Sequence, residues 1–277
     1  AMAGLRPIHI HIRMDFALLA MNQLVNIAAK TRYMFGDSVA VPLVVRCVIG
    51  RSWGQGSQHS QALYPLFMHV PGFRVIAPST AYDAKGTLLQ SIRDDNPVIF
   101  VEHRMLHGLD GYVPNEQYTV PFGKARVLQA GEDITLVGIS YMAVECLRAA
   151  HHLRQVGISA EVIDPISLSP LDMDTILQSA RKTGNLMVVD NAWTTCGAGS
   201  EILVQAMEQL QGRIDIRVQR MGFAAVPCPT TKNLENLFYP NPQTIASTAY
   251  GLLHDNEKSW TPVGEEAPEL AAFKGPF

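Results

Sequence analysis

Apolar and polar positions alternate over residues 6–12 (RPIHIHI), which predicts a β-strand very near the start of the chain. Residues 16–33 (FALLAMNQLVNIAAKTRY) place apolar side chains at helical spacing with few breakers, and Asp15 is the expected N-cap. The run VPLVV at 41–45 reads as a short buried strand. Residues 46–60 (RCVIGRSWGQGSQHS) are rich in Gly, Ser and Gln and read as a loop. That loop is long for a connector, and long loops inside compact domains tend to be functional. A short helix at 61–69, a strand at 73–77, a helix at 80–93 and a strand at 98–101 follow. Such strand–helix alternation builds a parallel α/β sheet.

Residues 102–121 are polar and punctuated by Gly108, Gly111, Pro114 and Pro121, the pattern of a linker. A second alternation succeeds it: strands at 133–139, 159–164, 186–190 and 216–220, and helices at 143–156, 171–181, 199–210 and 244–253. The expected fold class is α/β, with two domains built on parallel or mixed sheets at 1–117 and 122–256. A tail at 257–277, carrying Pro and charge, wraps the surface or frays. The 277 residues suffice for two such units with substantial cores.

Composition narrows the function by exclusion. The net charge of −3 lacks the basic footprint of a nucleic-acid binder. Four scattered cysteines without a C-x-x-C pair exclude a disulfide scaffold and a zinc ribbon, and fit a reducing compartment. No apolar run approaches the roughly 18 residues of a membrane helix, and the N-terminus lacks a signal-peptide layout. The expected location is therefore the cytoplasm, or the mitochondrial matrix in a eukaryote. Position 1 is not Met and a strand starts almost at once, so material upstream is expected.

The chain has no G-x-x-x-x-G-K-[ST], no G-x-G-x-x-G after a strand and no G-x-S-x-G. His151 and His152 are adjacent on a helix and point apart, as on a solvated face. His9 and His11 share a strand face but have no further ligands beside them. The informative segment is GQGSQHSQ at 54–61, which follows a buried strand and opens a helix. This puts His59 at the carboxyl end of a strand, where ligands approach open α/β sheets. His59 reads either as a proton-handling group or as a loop residue capping the next helix. Trp193 and Cys196 read as packing residues after the strand at 186–190, and Asp164 as a turn former before Pro165.

Several separated segments carry a likeness: FALLAMNQLVNIAAKTRYM, GQGSQHSQ, HVPGFRVIAPSTAYDAKGTLLQSIRDDNPVIFVE, EVIDPISLSPLD and DNAWTTCGAGSEI. Together, over about residues 3–253, the chain resembles the beta subunits of thiamine-diphosphate-dependent 2-oxoacid dehydrogenases of the pyruvate, branched-chain and acetoin types. The resemblance implies a transketolase-like pyrimidine-binding domain followed by a transketolase C-terminal domain. It implies thiamine diphosphate shared between subunits, with Mg²⁺ and the diphosphate held by an alpha-type partner. A lipoyl acyltransferase is the implied acceptor. Phe16 falls where the family packs an aromatic ring against the aminopyrimidine, and His59 where a histidine faces the thiazolium and the substrate. Leu43, Ser91, Ile92, Asp94 and Asn96 match the family's K⁺ site, and SIRDDNP independently reads as a helix end with free carbonyls before Pro97.

Departures from the family pattern are visible. The family's glutamate for the pyrimidine has no counterpart here, the first Glu being Glu102. A separate chain supplying the N-terminal segment, a chain that is a fragment, or an incomplete catalyst would each account for this. Asp190–Asn191 and His107 also depart from the usual residues. Oxidative decarboxylation with acyl transfer to lipoamide is the expected activity. A split-chain transketolase, an acyloin synthase, an acetoin-cleaving subunit and a non-catalytic scaffold are the alternatives.

Overall fold

The computed structural model describes residues 1–51, 54–256 and 259–264. Strands β1 (Ile8–His11), β2 (Val44–Ile49), β3 (Arg74–Ile76) and β4 (Val98–His103) lie in the first part of the chain. They are followed by β5 (Arg126–Gln129), β6 (Ile134–Gly138), β7 (Ala160–Asp164), β8 (Ser167–Ser169), β9 (Asn185–Trp193) and β10 (Arg217–Phe223). The α-helices are α1 (Ala29–Met34), α2 (Tyr64–Met68), α3 (Ala81–Arg93), α4 (Tyr141–Gln155), α5 (Met173–Thr183), α6 (Ala198–Leu210), α7 (Lys232–Phe238) and α8 (Pro242–Leu253).

Two five-stranded sheets result, ordered β1-β2-β4-β3-β8 and β10-β9-β6-β7-β5. Each is parallel except for one antiparallel edge strand, β8 on β3 and β5 on β7. The mixed α/β architecture is as expected. Strand β8 comes from the second half of the chain yet completes the first sheet. The apolar core is likewise continuous: Val45, Val75 and Val101 belong to one buried cluster with Val137, Ile163 and Val188. Among the described residues no helix is long and apolar enough to cross a membrane.

Several local expectations are corrected. The helix expected at 16–33 spans Met14–Met34 but changes pitch, with a 3₁₀ stretch at Met14–Ala20 and a π stretch at Asn22–Ala28 before α1. Asp15 does not cap it. The cap position is Arg13, without a side-chain cap bond, because the Asp15 carboxylate accepts hydrogen bonds from Gln61 instead. Strand β2 runs on to Ile49, through residues that read as loop. Arg46 is tolerated there because its Nε and Nη2 donate to the two Glu102 carboxylate oxygens on β4, at 2.9 and 2.7 Å. Helix α2 starts at Tyr64 rather than 61, with Pro65 in its first turn.

The polar stretch after residue 101 also differs. Strand β4 continues to His103 and a 3₁₀ turn occupies Arg104–Gly108. Trp193 ends β9 rather than lying beyond it; its ring packs edge-on to Phe223 and Phe238. Cys196 is exposed, at a φ of 54°, and is not a packing residue. Asp164 does form the expected turn, accepting the Ile166 N–H at 2.8 Å. Strands β5 and β8 and helix α7 are additions to the elements expected from the sequence. Most of the tail expected at 257–277 lies outside the described residues.

Candidate functional site

Strands β1 and β2 are parallel neighbours, in register from Ile8 with Val44 to His11 with Cys47. Parallel pairing brings the segments that follow both strands to the same sheet edge. After β1 the chain turns into the 3₁₀ stretch that carries Phe16; after β2 it enters the loop that carries His59. The two rings meet edge to face, with centroids 5.3 Å apart and planes at 81°. Phe16 is 39% exposed and His59 half-buried, so both remain open to a ligand.

Asp15 fixes this meeting. Its Oδ1 accepts the Gln61 backbone N–H at 3.3 Å and the Gln61 Nε2 at 3.0 Å. At the loop's other end the buried Arg13 donates from Nη1 to the Gly50 carbonyl at 2.8 Å. Gly50 has a φ of 89°, and a Cβ there would run into the His103 imidazole. This turn therefore requires glycine.

Ile12 and Leu19 lie four residues before and three after Phe16, and they are 68% and 88% exposed. Ile12 ends the alternating segment read as a strand, and Leu19 lies in the apolar-periodic segment read as a helix. Both are exposed, and Leu19, three residues on in the same 3₁₀ stretch, shares the open face of Phe16. The signal for it in the sequence was an apolar stripe too wide for one buried seam.

The acids nearby are already engaged. Glu102 is held by Arg46, and His107 Nε2 lies 3.5 Å from it. Burial works to raise its pKa, but hydrogen bonds from His107 and Arg46 outweigh this and hold it below the usual range. Glu102 is therefore not a free acid for chemistry. His103 is buried and stacks on Tyr141, centroids 4.7 Å apart. Burial, with Arg13 and Arg51 nearby, pushes its pKa down to about 3, so it is neutral. Asp190 is buried and accepts a hydrogen bond from the Tyr64 hydroxyl. Burial pushes its pKa up to about 6 against the Tyr64 bond and three backbone N–H donors.

The five candidate cation ligands gather about the C-terminal end of α3. Asn96 donates from its backbone N and Nδ2 to Asp94 Oδ1, both at 2.7 Å. Leu43 offers its carbonyl to the Val98 N–H at 2.8 Å. Ser91 is buried, its hydroxyl turned to the Thr87 carbonyl. The carbonyls of Ile92 and Asp94 converge, and the cation between them is Arg6, whose Nη1 donates to both at 3.0 Å. A set of neutral carbonyls at a helix C-terminus suits a monovalent cation. His9 and His11 stack edge to face on β1, and no group of three or more His, Cys, Asp or Glu suited to a metal occurs among the described residues.

The profile of the transketolase pyrimidine binding domain matches residues 1–108, and that of the transketolase C-terminal domain matches residues 123–245. The chain is 43% identical over 249 residues to an acetoin:2,6-dichlorophenolindophenol oxidoreductase subunit beta of Cupriavidus necator, covering 90% of this chain and 74% of that protein. It is 39% identical over 261 residues to a mitochondrial pyruvate dehydrogenase E1 component subunit beta of Dictyostelium discoideum, covering 93% and 73%. Among solved structures, one described as a split gene transketolase, inactive beta4 tetramer, superposes with a TM-score of 0.74 at 22% identity. That superposition covers 91% of this chain and 77% of the other, and shows a shared fold.

Proposed function

The chain belongs to the transketolase-like beta-type subunits of thiamine-diphosphate-dependent 2-oxoacid dehydrogenases, and on that footing we propose that it works with an alpha-type chain in decarboxylating a 2-oxoacid and passing the acyl group to the lipoamide of an acyltransferase. The observation that carries this reading is the edge-to-face pair of Phe16 and His59 at an open carboxyl edge. An exposed aromatic ring, with the exposed Leu19 on the same face of its 3₁₀ stretch, fits one face of the cofactor's aminopyrimidine. Thiamine diphosphate, when bound, supplies a nucleophilic carbon and an electron sink for decarboxylation.

Each residue of this chain then has a task. Phe16 and Leu19 bind and orient the flat ring and exclude water from it. His59 holds or donates a proton at Nδ1 or Nε2 toward the substrate carboxylate, its carbonyl oxygen or the lipoyl sulfur. Asp15 and Gln61 fix the loop that presents it. The Mg²⁺ and diphosphate fall to the alpha-type partner. No Glu precedes Glu102, so residues 1–101 carry no counterpart of the glutamate that activates the family's pyrimidine. A heterotetramer of two alpha-type and two beta-type chains would supply both ends of the cofactor.

Potassium is the ion that Leu43, Ser91, Ile92, Asp94 and Asn96 would hold, in competition with Arg6 for two carbonyls. The setting is the cytoplasm, or the matrix of a mitochondrion. The domain division at about residues 117–122 is part of the same proposal.

The test is reconstitution with the alpha-type partner, followed by turnover of a panel of 2-oxoacids with an artificial electron acceptor. Turnover that requires both chains and thiamine diphosphate upholds the reading. Acetoin cleavage is the second reading, favoured by the 43% identical relative named for acetoin. Including acetoin in the panel decides between them.

A further inference from the structure

Among the described residues no hydrogen bond fixes the His59 ring; its position is set by the loop that carries it. The loop's two ends are fixed by Arg13 and Asp15, as described. Its middle is fastened to a distant part of the chain, residues 228–239. Arg51 donates from Nη2 to Glu235 Oε2 at 3.0 Å and to Asn236 Oδ1 at 2.6 Å. Its guanidinium also lies over the Tyr239 ring, 5.1 Å from the centroid. Ser57 donates its hydroxyl to the Cys228 carbonyl at 3.0 Å. Gly54 and Gly56, at φ of 69° and 71°, press against Thr230 so closely that a Cβ on either would collide with it.

The Arg51–Glu235 pair is deeply placed, with side chains 11% and 5% exposed. A buried ion pair is a weak source of net stability, yet losing one partner is costly because a charge is left unpaired. Such a pair is suited to fixing one geometry among several. Here it joins the loop of the first sheet to helix α7, beyond the end of the second sheet.

We infer that Arg51 and Glu235 are positioning residues for His59: the ion pair latches the chain at Arg51 onto α7 and, with the contacts of residues 54–57, sets where the imidazole stands relative to Phe16. The inference rests on the proposed role of His59 for its catalytic consequence, but the latch itself is independent of that role. Residues near 235 would then affect the reaction without touching substrate or cofactor.

The test compares the full chain with Arg51→Met, Glu235→Gln, the double variant and Arg51→Lys. Hydrogen–deuterium exchange is read on the chain alone. Amides of residues 54–60 should exchange about tenfold faster in both single variants. The double variant should be no worse than the singles, as expected of two residues sharing one interaction, and Arg51→Lys should recover part of the protection. Exchange in β2 and β4 should stay as in the parent. In the reconstituted assembly, kcat should fall by about 10–100-fold, as for a reacting group slightly misplaced, with KM for the 2-oxoacid and retention of thiamine diphosphate little changed. Unaltered exchange at 54–60, or equal acceleration throughout the chain, overturns the latch. If the parent assembly does not turn over 2-oxoacids, the proposed reaction fails while the exchange result still decides the latch.

Discussion

The imidazole of His59 stands edge-on to the ring of Phe16, with centroids 5.3 Å apart, although 43 positions separate them in the chain. Neither ring is buried enough for this to be core packing. Adjacent parallel strands deliver both to one edge, and Asp15 ties the two segments together through Gln61. The pair therefore joins a flat aromatic platform to an imidazole that can hold or donate a proton.

Replacing His59 with alanine should lower turnover of the reconstituted enzyme by about 10²–10⁴-fold, the usual worth of positioned proton transfer. Stability should change by less than about 1 kcal/mol, because the ring makes no hydrogen bond among the described residues. Steady-state kinetics and a urea midpoint measure the two effects. Near-normal turnover would leave His59 a loop residue, and a collapsed midpoint would make its role structural.

Phe16→Ala removes the platform and spares the proton-handling group. An aromatic contact is worth about 0.5–1.5 kcal/mol beyond area burial, so thiamine diphosphate should bind about 3–10-fold more weakly to the assembly. The melting temperature of the isolated chain should stay close to the parent's, since Phe16 is 39% exposed there. Calorimetric titration of the assembly provides the check, and an unchanged affinity would remove Phe16 from the cofactor site.

Much of this arrangement was legible in the sequence. The strand–helix alternation gave the α/β class, and the GQGSQHSQ loop after a buried strand pointed to His59. What escaped notice shares a physical cause: side chains whose partners lie far away in the chain. Arg46 and Cys47 read as loop because the Glu102 that pairs with Arg46 comes 56 residues later. Asp15 read as a cap because Gln61, which takes its carboxylate, comes 46 residues later. The exposure of Leu19 did not show because periodicity reports an apolar face without saying what covers it. Strand β8 was missed because three residues carry no period, and its pairing with β3 is a tertiary event.

Arg6 makes a definite prediction about potassium. Its Nη1 already occupies the Ile92 and Asp94 carbonyls, and its Nη2 meets Asp95 Oδ1 at 2.5 Å. Any K⁺ held there must displace it. The parent's melting temperature should therefore respond weakly when K⁺ replaces a large organic cation. Arg6→Met should respond more strongly, by up to about 2.7 kcal/mol once K⁺ reaches 100 times its Kd. Thermal melts in matched ionic strength test this; identical responses of the two proteins would show that Arg6 is no competitor.

Asp164 gives the fold a pH dependence whose sign can be worked out. It is fully buried and accepts the Ser79 N–H at 3.1 Å, the Ser79 hydroxyl and the Ile166 N–H. Burial pushes its pKa up from 3.8 to about 7, with Asp83 adding to the rise and the hydrogen bonds opposing it. Between those values the folded chain keeps a proton that the unfolded chain has lost. Stability from this group is therefore fully present below pH 3.8 and declines as the pH rises through about 7. Asp164→Asn cannot titrate, so the stability of the parent minus that of the variant should fall with rising pH. The limiting slope is about 1.4 kcal/mol per pH unit for one proton. Asp190, raised to about 6, titrates in both proteins and drops out of the difference. Urea midpoints at several pH values across this window measure it, and a gap that does not vary with pH would show that Asp164 stays ionised in the fold.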